Sequence, residues 1–455
     1  MASTKSKPIV VATAFPAAGH AAGLTKISAY LVQNGYTVYF ITGSELKPGI
    51  EKTGAQFIEN PWDWEKVHAA RPADADVMWD LRHLFADSTH DSHRVLKDTL
   101  ERVRREYPDR EVLLLHESLS CSLSPFAYGA PLPEGYTSFP KVINFHTSIN
   151  ITEDGSVPPF GPGIPYDPTP ENLALWKQMA GGFKAVTGSV VTHWEGIHKT
   201  LGTTRPITGG LFDFIFDLGD VTVFAASPSL DYPMSNPSPR MRFIGGLPLQ
   251  RPDAKFVYPT WWPTITANAA LPAGSPDKKK VVFVTQGTAH LDYDDLLLPT
   301  IKTLGDRSDL IVVATLGVRG ATLKTSDGAP APIPANTLVI DYLAYDALLP
   351  YADVFVTNAG YGGFMHGIMN GVPMVLAGTV ADKAEVSARA EWIGVGVNLR
   401  TQKATEEAIR AAVEKVLSEE EGPKFKAKAL ELKKENEDLD ALNTFEGIIA
   451  ELTGR

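Results

Sequence analysis

The sequence predicts an α/β chain of two successive Rossmann-like domains whose parallel sheets face one another across a cleft. Three observations predict it. Short, apolar, β-rich runs alternate with segments of helical period in both halves of the 455 residues, a pattern that builds parallel sheets through crossover helices. A shift in composition over 247–280, with six prolines, Trp261-Trp262 and Lys278-Lys279-Lys280, separates the two halves. In the second half, Thr357-Asn358-Ala359-Gly360-Tyr361-Gly362-Gly363-Phe364 places three glycines in four residues between a strand and a helix. Glycines there let backbone N–H groups approach a ligand without interference from Cβ, and a helix start beyond them favours a phosphate.

The first strand follows Pro8 and covers 9–13. A loop, Phe15-Pro16-Ala17-Ala18-Gly19-His20, leads to a helix over 23–34, where Leu24, Ile27 and Leu31 recur at helical spacing and Gly35 ends the pattern. With a strand over 36–42 this makes a βαβ unit. His20 then lies just past the carboxyl end of the first strand, where open α/β sheets hold their ligands. Residues 58–93 read as irregular, and 94–107 as an amphipathic helix. Strands follow at 111–115 and 141–145, a Pro/Gly-rich loop at 157–165, a helix at 170–202, and strands at 221–225 and 242–244. After the linker, strands are expected at 281–285, 310–314, 338–341, 354–357 and 374–377. Helices are expected at 293–304, 345–349, 365–369, 383–393, 405–417 and 424–451. The domains are thus 1–246, a linker 247–280, 281–430, and a C-terminal helix in 431–455 that packs back on the first domain.

Bulk composition narrows the function. Lys and Arg number 42 against 53 Asp and Glu, so the chain carries a formal charge of −11, which disfavours a nucleic-acid backbone as partner. One cysteine, Cys121, permits no internal disulfide and fits a reducing compartment. No apolar run reaches the ~18 residues of a membrane span, and the first residues lack a signal-peptide pattern, so a cytoplasmic protein without stable membrane insertion is expected. No metal site is expected. His90-Asp91-Ser92-His93 lacks a third ligand, and Asp292-Tyr293-Asp294-Asp295 stands where a helix start needs capping.

Taken together, several motifs resemble the family 1 nucleotide-sugar-dependent glycosyltransferases of the GT-B fold, in their fungal and bacterial macrolide-type branch. In the first half these are Pro16-Ala17-Ala18-Gly19-His20, Gly35-Tyr36 and Gly54-Ala55-Gln56-Phe57. In the second they are Val284-Thr285-Gln286-Gly287-Thr288, Asp341-Tyr342-Leu343, 357–363, Gly371-Val372-Pro373 and Asp382-Lys383. The order and spacing match across nearly the whole chain; 58–220, the acceptor side, matches poorly.

The resemblance implies an inverting, metal-independent transfer of a sugar, glucose by default, from a UDP-sugar to a hydroxyl of a small lipophilic acceptor. The UDP-sugar is a co-substrate and no cofactor is implied. His20 is the implied base, since an imidazole titrates near neutral pH. The family orients it with an Asp, whose place falls on Glu117, with His116 the rival one residue away. The implied UDP-sugar site comprises Gln286, Gly287, Thr288, Tyr342, Leu343, Asn358, Gly360, Tyr361, Gly362, Gly363, Asp382 and Lys383. Thr288 would meet the β-phosphate, Tyr342 or the Leu343 backbone the uracil, and Asp382 and Lys383 the sugar hydroxyls. Aromatic residues Trp62, Trp79, Phe85, Phe145, Phe160 and Trp194 suggest an apolar acceptor pocket, for a phenol, polyketide, sterol or hydroxy lipid.

Four positions depart from the family pattern. Asn358 replaces a diphosphate-binding His, His366 a ribose-binding Glu, Lys383 a Gln, and Gly23 a Pro. A UDP-sugar epimerase of the same architecture and a non-catalytic sugar-nucleotide-binding protein are the competing readings. Oligomeric state is left open.

Overall fold

The computed structural model describes residues 6–151, 153–234, 237–249, 252, 256–287, 292–325 and 327–455. The first sheet holds β1 (Ile9–Thr13), β2 (Thr37–Thr42), β3 (Gln56–Glu59), β4 (Val112–Glu117), β5 (Lys141–His146), β6 (Val221–Phe224) and β7 (Met241–Phe243) in the order β3-β2-β1-β4-β5-β6-β7. The second holds β8 (Lys280–Thr285), β9 (Leu310–Thr315), β10 (Thr337–Ile340), β11 (Val354–Thr357), β12 (Met374–Leu376) and β13 (Gly396–Asn398) in the order β10-β9-β8-β11-β12-β13. Every pairing within them is parallel. Central strands are buried on both faces, so they read as continuous apolar runs rather than as alternation. In β1, Val10 and Ala12 face one core and Ile9 and Val11 the other.

Strand order reverses direction between β1 and β4 in the first sheet and between β8 and β11 in the second. A parallel sheet opens a crevice at such a reversal, beyond its carboxyl ends. The two reversals point to the segments after β1, β4, β8 and β11, which carry His20, Glu117, Gly287 and the glycine triplet.

Several elements differ from the sequence expectation. The first helix spans Ala18–Gln33 and starts five residues early, because the alanines at 17, 18, 21 and 22 sustain a helical turn despite Gly19. His20 therefore sits in the first turn of a helix, not in a loop. Likewise the helix after β11 spans Tyr361–Asn370, so Gly362 and Gly363 are helical. The region 58–93, expected to be irregular, contains helices Trp64–Ala69 and Val77–Asp80 and a π-helix, Leu81–Ala86. Part of the linker, Trp262–Ala270, is helical, and with Trp261 it packs on the second core. The expected helix 424–451 is two helices, Gly422–Asp438 and Ala441–Thr453, broken where Asp440 turns left-handed at φ 46°. The last of these buries Phe445, Ile448 and Ile449 in the core of the first sheet. Each such side chain contributes roughly 1.5–3 kcal/mol of burial free energy. No helix among the described residues is long and apolar enough to cross a membrane.

Candidate active site

Glu117 closes β4 and His20 opens the Ala18–Gln33 helix. Register pairs Thr13 with His116, and side chains alternate along β4, so His116 and Glu117 face opposite sides. Leu113, Leu115 and Glu117 share a parity, and Leu113 and Leu115 belong to the core that also receives Leu24 and Ile27 of the His20 helix. Glu117 thus meets His20, with Oε1 3.0 Å from Nδ1. His116 turns to Asn144, its β5 neighbour, at 3.0 Å, and so does not partner His20.

Glu117 is fully buried. It accepts the Phe15 N–H at 3.1 Å, the Leu119 N–H at 3.2 Å and the Thr147 hydroxyl at 3.1 Å as well as His20. Burial, the largest influence, raises a carboxyl pKa, but the charge and hydrogen bond of His20 and the two backbone N–H groups outweigh it and hold Glu117 below its usual value. Burial also pulls His20 down. Glu117, by charge and hydrogen bond, and the charge of Asp382 lift it above the ordinary imidazole value. A carboxylate only accepts, so Nδ1 carries the proton and Nε2 is left as the free base. The side chain keeps 26% of its surface exposed, which leaves it open to a substrate.

Beside His20 stands an aromatic wall. Phe15 meets the His20 ring edge-on at 5.3 Å, and Phe85 and Trp64 lie 5.1 and 6.4 Å from Phe15. Phe85 comes from the π-helix, a rare conformation that concentrates at functional sites. Phe15 was not among the sequence candidates; its place at the end of β1, five residues before His20, was the available signal. The other aromatic candidates lie elsewhere. Trp79 packs on His83 and Phe160 on Phe212, while Trp62 is half-buried on the segment after β3. Two are core residues rather than wall. Trp194 is fully enclosed and donates its indole N–H to Thr89. Phe145 fills the space over Gly23, where a Cβ would come within 2.7 Å of its ring. That contact accounts for a glycine where the family pattern has proline.

The opposite wall is built by the segments after β8, β11 and β12. The Tyr361–Asn370 helix has no side-chain cap. Among the described residues nothing accepts the N–H groups of Tyr361, Gly362 and Gly363. None of Gly360, Gly362 and Gly363 has a positive φ. A Cβ at Gly362 would meet nothing within 4 Å, and one at Gly360 only Asn358 Oδ1 at 4.0 Å. Neither backbone conformation nor internal packing requires these glycines, and the open space leaves their N–H groups bare. The strain sits next door: Ala359 and Ala381 are left-handed at φ 62° and 57°.

Asn358 and Gln286 brace this wall from behind. The Asn358 amide donates to the Gln286 carbonyl. The Gln286 side chain accepts the Leu297 N–H at 2.8 Å and donates to the Asp292 carbonyl at 2.7 Å, capping the Leu297–Leu304 helix. Its side chain is therefore engaged within the protein, contrary to a role in touching the sugar nucleotide. Gly287 turns at φ 77° beside Asn358. Thr288 lies outside the described residues. Leu343 is buried in the second core, which leaves its backbone for a base. Tyr342 is half-buried with the Arg319 guanidinium 4.3 Å above its ring. His366 is tied through Nδ1 to Asp346 at 2.7 Å, and Asp346 also accepts from Asn370 at 3.0 Å.

Asp382 stands before the Lys383–Ile393 helix and accepts the Ser148 hydroxyl of the first domain at 2.6 Å. Burial raises its pKa, against the hydrogen bond from Ser148 and the charges of Lys383 and His20. Lys383 is half-buried, and its ammonium has no hydrogen-bond partner among the described residues. Burial lowers its pKa, opposed by the charges of Asp382 and Asp295. The described residues contain no group of three or more His, Cys, Asp or Glu arranged to hold a metal.

Residues 312–440 match the family described as erythromycin biosynthesis protein CIII-like, C-terminal domain. The chain is 38% identical to UDP-glucosyltransferase 1 of Beauveria bassiana, over 96% of this chain and 94% of that one. It is 30% identical to UDP-glucosyltransferase B1 of Starmerella bombicola, over 98% and 99%. Its fold is shared with the crystal structure of the glycotransferase of kitacinnamycin, at TM-score 0.69 and 19% identity, covering 99% of this chain and 100% of that one. The two parallel sheets are those of a GT-B fold, and the chain is an enzyme that belongs to the family 1 UDP-glycosyltransferases, in their fungal and macrolide-type branch.

Proposed function

We propose that this enzyme transfers glucose from UDP-glucose to a hydroxyl of a small lipophilic acceptor, with inversion and without a metal or cofactor, in the cytoplasm. The observation that carries the reading is the His20–Glu117 pair, a base with its tautomer fixed, with Asp382 of the second half near enough for its charge to act on His20. The acceptor O–H proton passes to His20 Nε2 as its oxygen attacks the anomeric carbon. The bond from that carbon to the β-phosphate oxygen breaks, and its electron pair leaves with UDP. One displacement inverts the centre; retention needs a carboxylate nucleophile as well. The N–H groups of Tyr361, Gly362 and Gly363 and the Lys383 ammonium receive the leaving diphosphate. Phe15, Trp64 and Phe85 make the acceptor side apolar and aromatic, which suits a phenol, polyketide, sterol or hydroxy lipid. Glucose is supported by the names of the fungal relatives, and the cytoplasm by the single, buried cysteine.

A screen of UDP-sugars against phenols and hydroxylated lipids, in EDTA, tests the reading. Mass spectrometry is expected to find a hexosyl adduct, and NMR a β-linked sugar from the α-linked donor. Conversion of UDP-glucose to another UDP-sugar without acceptor makes the enzyme an epimerase. UDP binding with no transfer from any donor makes it a binding protein.

The cradle has its own test. Gly362→Ala places a methyl in space that is empty in the free protein, in the first turn of a helix. Helix propensity then favours the variant by up to about 1 kcal/mol, while the methyl obstructs the phosphate. The expected result is an unchanged or higher Tm together with UDP affinity about tenfold weaker by calorimetry, a loss near 1.4 kcal/mol. Parental UDP affinity would remove Gly362 from the cradle.

A further inference from the structure

The face of the Lys383–Ile393 helix turned toward the first domain carries Glu385 and Arg389, and Asp382 precedes its first turn. Arg389 is 4% exposed. Its Nε donates to Asp231 at 2.8 Å, one terminal nitrogen to Glu385 at 3.3 Å, and the other to the Asn150 carbonyl at 3.3 Å. Its guanidinium lies 4.2 Å from the Tyr232 ring, on which Tyr166 stacks at 4.7 Å, with Trp392 edge-on to both. Glu385 is equally buried and accepts the N–H groups of Gly161 and Gly163 at 2.9 and 2.8 Å. Gly163 lies so close to Ala384 that a Cβ would stand 2.8 Å from its carbonyl oxygen.

The segment after β5 is the other half of this junction, and its residues alternate between the two walls of the cleft. Thr147 donates to Glu117, the partner of His20. Ser148 donates to Asp382. Asn150 is held twice, its carbonyl by Arg389 and its N–H by Asp231 at 3.1 Å. Two adjacent residues of one chain segment thus link the partner of the base to the sugar-reading carboxylate, and Asn150 extends the segment to Arg389. Arg389 fastens the far end of that span to the helix that begins after Asp382.

Stability alone is a poor explanation for such a junction. A buried ion pair is often no more stabilising than apolar residues of the same volume, because both charges lose their water. What it supplies is geometry: a planar fork that fixes three acceptors at once. We propose that Arg389, with Glu385 and Asp231, is a positioning residue that sets the distance between His20 and the sugar carbon by locking the segment after β5 to the donor-side helix. The inference rests on the reading of His20 as base and the second domain as the UDP-sugar site.

Arg389→Met is the direct test, read by kinetics, UDP calorimetry and small-angle scattering. Misalignment of reacting groups by about 1 Å costs on the order of 100-fold. The expected result is a kcat about 100-fold lower, UDP affinity within about twofold of the parent, and a larger radius of gyration in the unliganded protein. Arg389→Lys, which keeps the charge without the fork, is expected to recover only part of kcat. Because Arg389→Met strands two buried carboxylates, Gly163→Ala serves as a second variant. It pushes the loop off the helix, leaves every charge in place, and should lower kcat and expand the protein in the same way. Should Arg389→Met fail to fold, Gly163→Ala decides alone. Parental kcat with parental scattering in a folded variant overturns the proposal. So does a loss of UDP affinity that accounts for the whole kinetic defect. Absence of sugar transfer by the parent protein itself overturns the functional reading instead, and scattering then still decides whether the junction holds the domains together.

Discussion

His20→Ala is expected to lower kcat by about 10³-fold while UDP binds as in the parent, the middle of the range for a positioned general base. The proposed nucleotide site lies on the segments after β8, β11 and β12, so the substitution leaves it intact. The imidazole is the exposed half of a part-buried hydrogen-bonded pair, and Glu117 has three further partners, Phe15, Leu119 and Thr147, that keep it in place without His20. Rate is therefore expected to fall without loss of fold. Transfer at the parental rate would remove His20 as base.

The pair also sets the pH profile. Transfer requires neutral His20, whose pKa is raised, so activity should decline as pH falls through a value above 6.5. Glu117→Gln removes the main charge that raises it and leaves burial, the largest influence, which lowers it, with only the weaker charge of Asp382 opposing. The acid limb is then expected to move to lower pH while the plateau drops about 100-fold, the lower end of the range for a general base losing its support. Glu117→Asp should keep the limb near its parental place. A limb that stays put, or moves up, in Glu117→Gln would mean that Glu117 does not govern the base.

Lys383→Gln is expected to lower kcat by about 100-fold, the scale of removing one group from an electrostatic site. The departing diphosphate needs positive charge, and Asn358 cannot carry any; its amide is moreover bound to the Gln286 carbonyl. In the proposed mechanism Lys383 supplies it. Gly378, at φ 151°, has no room for a Cβ, which would stand 2.5 Å from the Asn358 carbonyl oxygen and 3.0 Å from Lys383 Cδ. The bare Cα lets the lysine stem run along the backbone toward the Asn358 segment. Burial lowers the pKa of the ammonium, and the charges of Asp382 and Asp295 oppose that shift. Gln at this position restores the family residue and keeps hydrogen bonding, so a loss of rate isolates the charge. A parental kcat in Lys383→Gln would show that the glycine N–H groups receive the diphosphate alone.

Much of this enzyme could be read from short-range pattern. Ile9–Thr13 and Val354–Thr357 are strands because continuous apolar runs suit strands buried on both faces, and such runs are visible in any window of five residues. The glycine triplet and His20 stood out because each lies just past a strand end, the place a parallel sheet reserves for ligands. Helix starts were less legible. Ala18–Gln33 and Tyr361–Asn370 begin at glycine-containing turns whose helicity depends on the turns C-terminal to them, so residues that looked like loop are first turns.

The two α/β units, the histidine beyond the first strand and the glycine cluster beyond β11 are legible in the chain alone, because periodicity, strand ends and glycine clusters are local properties. Folding, by contrast, is what sets Glu117 and not His116 against His20, encloses Trp194 and Phe145 in the core, caps a helix with Gln286 and ties the two domains together through Arg389. Each of those outcomes depends on which face of a strand or helix turns toward which neighbour. Most of these contacts join residues about a hundred or more positions apart, and a packed interior fixes them all at once.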